Sequence, residues 1–214
     1  RLTNRSWMRF NESQGEQVAG SGYIEWDYNY KVNPYFWTAN QSEVNYVLKR
    51  VPGFFDVVTY AGTSSNQTVS HNLGAVPELI IFKRRDGNGG WHVFSKPVTS
   101  PNSDWYLNYG RLDNSTDKLE NHYGNTGISG APTSTVIPLG NSLILNYSSR
   151  PMVMYLFASL NGISKVSSYT GTGSNINVDC GFTAGARFVL IKRIDSTGDW
   201  YVWDSARGIV SGND

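Results

Sequence analysis

The chain of 214 residues is poor in cysteine, in charge and in long apolar runs. Its one cysteine, Cys180, has no partner for a disulfide within the chain, so stability has to come from packing or oligomerisation. Charged residues make up 16% of the chain, and 18 basic residues nearly balance 17 acidic ones, which excludes the basic footprint of a nucleic-acid-binding protein. No apolar run has the length of a membrane-spanning helix. We therefore expect neither nucleic acid nor a membrane as a partner.

The residues that are plentiful favour β structure. Aromatic residues reach 14%, glycine occurs 22 times, and serine, threonine and asparagine are frequent. Aromatic residues are enriched in strands, and glycine and asparagine are enriched in the turns between them. This composition is typical of an all-β surface protein rather than of a cytosolic α/β enzyme.

A nine-residue phrase occurs twice. "KRRDGNGGW" runs from Lys83 to Trp91, and "KRIDSTGDW" runs from Lys192 to Trp200, 109 residues later. The same offset relates residues 53–95 to residues 162–204 without a gap. Such a match indicates a duplicated module.

The repeat sets the expected domain boundaries. Residues 53–161 form one complete module, and residues 162–214 form the N-terminal part of a following module. Residues 1–52 are then the C-terminal part of a preceding module, so the chain reads as a fragment of a longer polypeptide. A module of about 109 residues suits one antiparallel β-sandwich. The predicted fold is all-β, with tandem antiparallel β-sandwich modules.

Short segments with period-two alternation or continuous apolar character predict the strands. They include "SEVNYVLK", "FDVVTY", "QTVSH", "WHVF" and "MVMYLFA", together with "SKVSSY" and "INVDC" in the second copy. Val69 and Val178 are expected to face inward. The run "ELIIFKRR" predicts a central strand covered on both faces.

The repeated phrase predicts a hairpin loop. Asp86 and Gly89 recur as Asp195 and Gly198, whereas the residues beside them change. Lys83 and the arginine after it are either a basic finger for an anionic ligand or a strand end, and the strand end is the preferred interpretation. In that case the long stem covers apolar surface while the charged head reaches water. The tryptophan that opens the return strand is either a sugar platform or, as we prefer, packing across its hairpin.

Catalytic and metal-binding patterns do not emerge. His71 aligns with Cys180, which favours a partly buried filler over a metal ligand or nucleophile. No zinc spacing, nucleophile elbow or phosphate loop occurs. Three acids lie near aromatic residues, namely Glu25, Asp27 and Glu43, but solvated strand faces explain them better than glycosidase chemistry does. We expect no enzyme activity, no cofactor and no metal.

The stretch Gly22–Trp37 is the most aromatic part of the chain and has no good counterpart in the complete module. Specificity usually lies where copies on one scaffold differ. The candidate glycan-binding residues are Trp26, Tyr28, Tyr30 and Trp37. The alternative, which is the preferred interpretation, is a module-specific core or a contact between modules or subunits.

The segment "RVPGFFDVVTYAGTSSNQTVSHNLGAVPELIIFKRRDGNGGW" closely resembles a repeated β module of tail fibres and other virion appendages of tailed phages, notably those of marine cyanobacteria. The resemblance covers residues 53–161 and the second copy well, and residues 1–43 weakly. The second copy departs from it at "DCGFTAGARF". The resemblance implies a virion location outside the host cell and no catalytic residue.

Two classes of function remain open, and a purely structural spacer that binds no ligand is a third possibility. The first is a structural and adhesive segment of a phage tail fibre or capsid appendage, a homotrimer by analogy, which contacts other virion tail proteins and a host-surface glycan. The second is a secreted carbohydrate-binding module or polysaccharide-degrading β-sandwich protein.

Overall fold

In the computed structural model, residues 5–11, 43–86, 91–96, 108–111, 120–121, 127–196 and 200–205 are described. These ranges contain strands and turns and no helix, and hence no helix long and apolar enough to cross a membrane. The strands are β1 (Arg5–Asn11), β2 (Glu43–Lys49), β3 (Phe55–Ala61), β4 (Gln67–Ser70), β5 (Leu79–Arg84), β6 (His92–Ser95), β7 (Asn108–Arg111), β8 (Glu120–Asn121), β9 (Val136–Leu139), β10 (Pro151–Phe157), β11 (Phe188–Lys192) and β12 (Trp200–Asp204). The prediction of an all-β fold is confirmed for this part of the chain.

The main sheet has six antiparallel strands in the order β3-β10-β5-β6-β7-β8. Strand β10 lies between β3 and β5, so that Tyr155 pairs with Val57 on one side and with Ile81 on the other. Strand β5 was expected to be covered on both faces, and it is, because Ile80 and Ile81 point to opposite faces and both are buried. Covering both faces requires apolar residues at every position, which explains the unbroken apolar run.

A second antiparallel sheet, formed by β4 and β9, closes the core on one face of the main sheet. Val69 of β4 and Ile137 of β9 are buried together with Phe82 of β5 and Phe94 of β6. The rings of Phe82 and Phe94 meet edge to face with centroids 5.5 Å apart. Burial of these side chains supplies the main driving force for folding in this region.

Asn146 joins the loop after β9 to the turn between β3 and β4. Its Oδ1 accepts hydrogen bonds from the Thr63 amide at 2.8 Å and from the Gln67 side chain at 2.5 Å. Its Nδ2 donates to the carbonyls of Ser65 at 2.6 Å and Gly140 at 2.8 Å. Because the side chain is buried, these bonds satisfy polar groups that water does not reach.

The opposite face of the main sheet is covered by the hairpin of β11 and β12. A cluster centred on buried Ile81, Trp91 and Val93 packs against side chains of this hairpin, including Leu190 and Trp200. Residues from both copies of the repeated phrase therefore share one apolar cluster.

Two strands predicted in the second copy are absent. Ser164–Tyr169 and Ile176–Cys180 are irregular, and Val178 is 41% exposed although it was expected to face inward. Their counterparts β3 and β4 form by pairing with β10 and β9. No described strand pairs with the two irregular segments, and a strand without a hydrogen-bonded neighbour is not stable in water.

Candidate functional site

A shallow cleft of about 210 Å³ opens where β5 ends and β10 begins. Arg84 contributes from the end of β5, Met152 contributes from the start of β10, and Arg150 lies directly before that strand. The loop that precedes β10 supplies the remaining wall through Leu143, Ile144 and Tyr147. The backbone fixes this meeting point, because the Arg85 amide donates to the Pro151 carbonyl at 2.8 Å.

Asp86 bridges the two arginines of the cleft. Its Oδ1 accepts from Arg84 Nε at 2.5 Å, and its Oδ2 accepts from Arg150 Nη1 at 3.0 Å. The hydrogen bond from Arg84 and then that from Arg150 lower the pKa of Asp86 below its usual value. An acid with a lowered pKa stays ionised at neutral pH, so Asp86 is an acceptor here and not a general acid.

The rim of the cleft is apolar and exposed. Leu143 is 73% exposed, and Ile144 and Tyr147 are also open to solvent. The guanidinium carbon of Arg150 lies 5.4 Å from the centroid of the Tyr147 ring. Guanidinium donors and an aromatic face are groups that can contact a polar ring with an apolar face, such as a sugar.

The size of the cleft limits its ligand. Pockets for drug-sized ligands usually measure roughly 300–1,000 Å³, and this cleft is smaller. It therefore suits only a small ligand, or one small part of a longer one.

The aromatic residues proposed from the sequence lie elsewhere. Trp26, Tyr28, Tyr30 and Trp37 are outside the described residues, as are Glu25 and Asp27. Glu43 lies in β2, and its side chain is not described. The glycan prediction for the four aromatic residues stays a prediction.

The repeated phrase divides between the cleft and the sheet interior. The expectation that the head of Lys83 reaches water is wrong, because Lys83 is only 2% exposed and its ammonium lies 5.3 Å from the centroid of the Trp91 ring. Trp91 is buried against Ile81 and Val93, which confirms that it packs across its own hairpin. Lys83 lies on the same face of β5 as Ile81, and that is the face on which the β11–β12 hairpin packs.

A second aromatic surface is formed by Tyr201 and Trp203, called here the β12 aromatic pair. Their rings stack with centroids 5.6 Å apart and an angle of 17° between planes, and they are 40% and 44% exposed. They lie on the face of the β11–β12 hairpin opposite to Trp200 and Val202, which pack against the main sheet.

His71 has a structural part in the fold. Its Nδ1 accepts the Leu73 amide at 3.2 Å and its Nε2 donates to the Thr133 carbonyl at 3.2 Å, so one neutral tautomer satisfies both contacts. Burial lowers the pKa of His71, against smaller raising effects of the Thr133 carbonyl and of Asp56. Within the described ranges no group of three or more His, Cys, Asp or Glu side chains is arranged to hold a metal ion.

Sequence reasoning missed Tyr147 and Arg150 as site residues. Arg150 lies 64 positions after Asp86, and no local pattern links them. The sequence signal that could have pointed to this pair is that Asp86 follows the end of β5 and Arg150 precedes the start of β10.

These features define an all-β protein of antiparallel sheets, and its described part carries a small cleft lined by arginine, aliphatic and tyrosine side chains. Within that class, the chain belongs to the family described as Domain of unknown function (DUF7483), which matches residues 7–213. No curated protein and no solved structure matches the chain.

Proposed function

We propose that the chain is a structural and adhesive segment of a phage tail fibre or virion appendage, built from tandem β-sandwich modules of about 109 residues. The main support is that the hairpins β5–β6 and β11–β12 have the same register when their residues are compared at an offset of 109 positions. Leu79 pairs with Ser95 in the first, and Phe188 pairs with Asp204 in the second. A backbone hydrogen bond continues the ladder next to each pair. The Lys96 amide donates to the Glu78 carbonyl in the first hairpin, and the Ser205 amide donates to the Arg187 carbonyl in the second, both at 2.9 Å.

The turn at the start of each copy also recurs. In the first copy, the Phe55 amide donates to the Val51 carbonyl at 3.0 Å. In the second copy, the Ser164 amide donates to the Leu160 carbonyl at 2.9 Å. Gly53 and Gly162 both adopt positive φ, of 77° and 71°, at equivalent positions. Only glycine adopts this conformation without steric cost, which explains why both copies retain it.

The ion pair of the repeated phrase recurs as well. Arg84 Nε binds Asp86 in the first copy, and Arg193 binds Asp195 with two hydrogen bonds of 2.9 Å in the second. In both copies, an arginine at or just after the strand end is therefore ion-paired with the aspartate two residues later. This recurrence supports the view that the doubled phrase is a scaffold element.

The two hairpins meet through equivalent residues. Four side chains of β5–β6 and their counterparts 109 positions later belong to the same apolar cluster. These counterparts are Leu79 with Phe188, Ile81 with Leu190, Trp91 with Trp200 and Val93 with Val202. Packing of one surface on its own copy is what neighbouring modules of a tandem array require.

In this proposal, residues 53–161 are one module, residues 162–214 repeat its first half, and residues 1–52 correspond to a second half. The assembled form is a homotrimer on the outside of the virion, where it contacts other tail proteins. Chemical cross-linking and sedimentation of the purified chain test this, with a trimer as the expected species. A stable monomer at micromolar concentration would overturn the trimer.

The adhesive part of the proposal rests on the cleft that Arg84, Tyr147 and Arg150 help to line. A single small cleft binds a sugar weakly, but several copies on one fibre gain avidity. The test is binding of the multivalent, fluorescently labelled chain to cyanobacterial cells, with and without periodate oxidation of surface glycans. Oxidation is expected to abolish binding, and Tyr147→Ala or Arg150→Ala is expected to weaken it.

The matched control is Arg193→Ala, which removes the equivalent ion pair of the second copy but no cleft residue. Equal cell binding by Arg150→Ala and Arg193→Ala would show that the cleft is not the site that binds the cell surface. The virion location is tested separately, by searching for peptides of this chain in purified particles of a phage that encodes it.

The alternative function is a secreted carbohydrate-binding module or polysaccharide-degrading protein. The cleft is compatible with carbohydrate binding under both functions. An assay for newly released reducing ends therefore distinguishes the adhesive segment from a polysaccharide-degrading protein. Release of reducing ends from host polysaccharide, lost in Glu25→Gln or Asp27→Asn, would replace the structural and adhesive function with an enzymatic one.

A further inference from the structure

The β5–β6 hairpin has a core face and an outer face. On its core face, Ile80, Phe82 and Phe94 are buried together with residues of β4 and β9. We define its outer face by the residues Leu79, Ile81, Trp91 and Val93. The β11–β12 hairpin packs on this outer face, so the contact between the two hairpins lies outside the core of residues 53–161.

The β11–β12 hairpin contributes its own outer face to the contact. That face consists of Phe188, Leu190, Trp200 and Val202, which follow the residues of the first outer face by 109 positions. Because side chains alternate along a strand, Val189 and Ile191 lie on the opposite face of β11. These two residues correspond to Ile80 and Phe82 of the core. The hairpin therefore meets the first copy with its outer surface and not with its core surface.

The contact is thus formed by the same patch on both sides. A contact of this kind is isologous, which means that the patch is complementary to itself. It closes after two partners, because pairing uses the patch of each partner and leaves none for a third. A self-complementary patch that lies outside the core is a surface for recognising a second copy of the same module.

The charges on the outer faces are compatible with self-pairing. Lys83 is 2% exposed, and its ammonium lies 5.3 Å from the centroid of the ring of Trp91, which belongs to the same hairpin. Both residue types recur in the second copy as Lys192 and Trp200. Asp204, which is 3% exposed, adds an acid on the same face of β12 as Trp200. An aromatic ring in each copy and one acid therefore offset the repulsion between two lysines that meet in an apolar contact.

We propose that the outer face is a pairing surface for a second copy of this module, so that modules of this family associate back to back in twos. The proposal rests on the repeat described under the proposed function. Within this chain, the outer faces of the two copies form one such pair. A module whose outer face is not paired within its own chain binds the same face of a module in a second chain.

The test uses the whole chain with a charged second outer face. In the variant Leu190→Lys with Val202→Lys, lysines replace two apolar side chains of the contact, which should detach the β11–β12 hairpin. The first outer face is then uncovered, and we expect it to pair with the first outer face of another chain. Sedimentation velocity should show particles with twice as many chains as those of the unaltered protein. Concentrations up to about 100 µM are needed, because two sites on separate chains lack the millimolar effective concentration of linked sites.

Two further variants assign the pairing to the outer face. Val189→Lys with Trp203→Lys is the matched control, since it places the same two charges on the same two strands but on the opposite face. This control should keep the number of chains of the unaltered protein. Adding Val93→Lys to the test variant charges the first outer face as well and should abolish the doubling.

Amide hydrogen exchange shows whether each variant remains folded. Exchange in β10, which forms the centre of the main sheet together with β5, should stay slow in all of them. If the lysine variant loses this protection, Leu190→Ser with Val202→Ser replaces it as the milder change in the same contact. Val93→Lys alone should speed exchange in residues 188–192 as much as Val202→Lys does, because the two positions are equivalent in an isologous contact.

The proposal is wrong if the folded test variant keeps the number of chains of the unaltered protein. It is equally wrong if the opposite-face control doubles as well, or if Val93→Lys leaves the doubling intact. None of these results bears on the trimer of the unaltered chain or on cell binding through the cleft. An unaltered chain that is a monomer and forms dimers in the test variant would reject the trimer and leave the pairing surface standing.

Discussion

The ammonium of Lys83 lies 5.3 Å from the centroid of the Trp91 ring, and both side chains are buried where β11 and β12 cover the main sheet. The two residues open and close the repeated phrase "KRRDGNGGW". Desolvation strengthens the attraction between a cation and an aromatic face. The phrase thus contributes a buried contact to the fold, while its Arg84 and Asp86 remain at the surface cleft.

We predict that Trp91→Ala lowers the free energy of unfolding by about 3–5 kcal/mol, because it leaves a large cavity beside Lys83 and Ile81. Trp203→Ala is the matched control, since this tryptophan is 44% exposed and its loss should cost less than about 1 kcal/mol. Urea unfolding followed by circular dichroism measures both. Similar losses in the two variants would contradict the assigned packing.

Asp56 provides a second comparison. It is buried, binds Arg50 Nε at 2.5 Å, and accepts the amides of Val57 at 2.8 Å and Asn72 at 2.7 Å. Asp56→Ala leaves these donors without an acceptor, so we expect a loss of about 3–5 kcal/mol.

The control for Asp56 is Asp86→Ala, which removes a solvent-exposed ion pair and should cost at most about 1 kcal/mol. Chemical denaturation at pH 7 measures both variants. A larger effect at Asp86 than at Asp56 would show that the buried ion pair is not the stronger of the two.

Stability should rise with pH toward about pH 6.5, the usual pKa of histidine, because of His71. Burial lowers its pKa in the folded state, so between the two values the unfolded chain binds more protons than the folded chain. The contribution of His71 is therefore complete above its unfolded pKa and is lost as the pH falls toward its folded pKa.

His71→Asn tests this pH dependence. Asparagine keeps an acceptor for the Leu73 amide but does not titrate. Unfolding free energies measured from pH 5 to 8 should show a smaller slope below about pH 6.5 in the variant. An unchanged slope would assign the pH dependence to other groups.

Gly62 and Gly171 occupy equivalent positions with opposite surroundings. A Cβ on Gly62 would lie 2.0 Å from the Tyr147 carbonyl oxygen, whereas a Cβ on Gly171 meets nothing within 4 Å. We expect Gly62→Ala to cost about 3 kcal/mol or more, because backbone has to move. Gly171→Ala should stay within about 1 kcal/mol of the original chain. Thermal unfolding of the two variants in parallel is the measurement, and equal destabilisation would contradict the close approach at Gly62.

Strand prediction succeeded where apolar pattern and pairing agree. The alternation in "FDVVTY" and the apolar run in "ELIIFKRR" indicated β3 and β5, and both form. "SKVSSY" has a similar pattern but stays irregular, since a pattern makes a strand possible and a hydrogen-bonded neighbour makes it stable. Sequence alone shows the pattern but not whether the neighbour is in place.

The cleft was beyond prediction for a related reason. Asp86 and Arg150 are brought together because β10 inserts between β3 and β5, and that insertion is a long-range event. The aromatic residues chosen from sequence, from Trp26 to Trp37, were chosen by composition, which carries no information on spatial proximity.

By itself, the sequence determined the all-β class and the hairpin of β5 and β6, because each depends on local pattern, and it showed which residue types recur at an offset of 109 positions. Tertiary structure decided which equivalent positions are buried. Val69 and Val178 have the same side chain at the same place in the pattern, yet only Val69 is covered, because β9 pairs with its strand. Burial is a property of the neighbours that a residue acquires, and Lys83 is buried for the same reason.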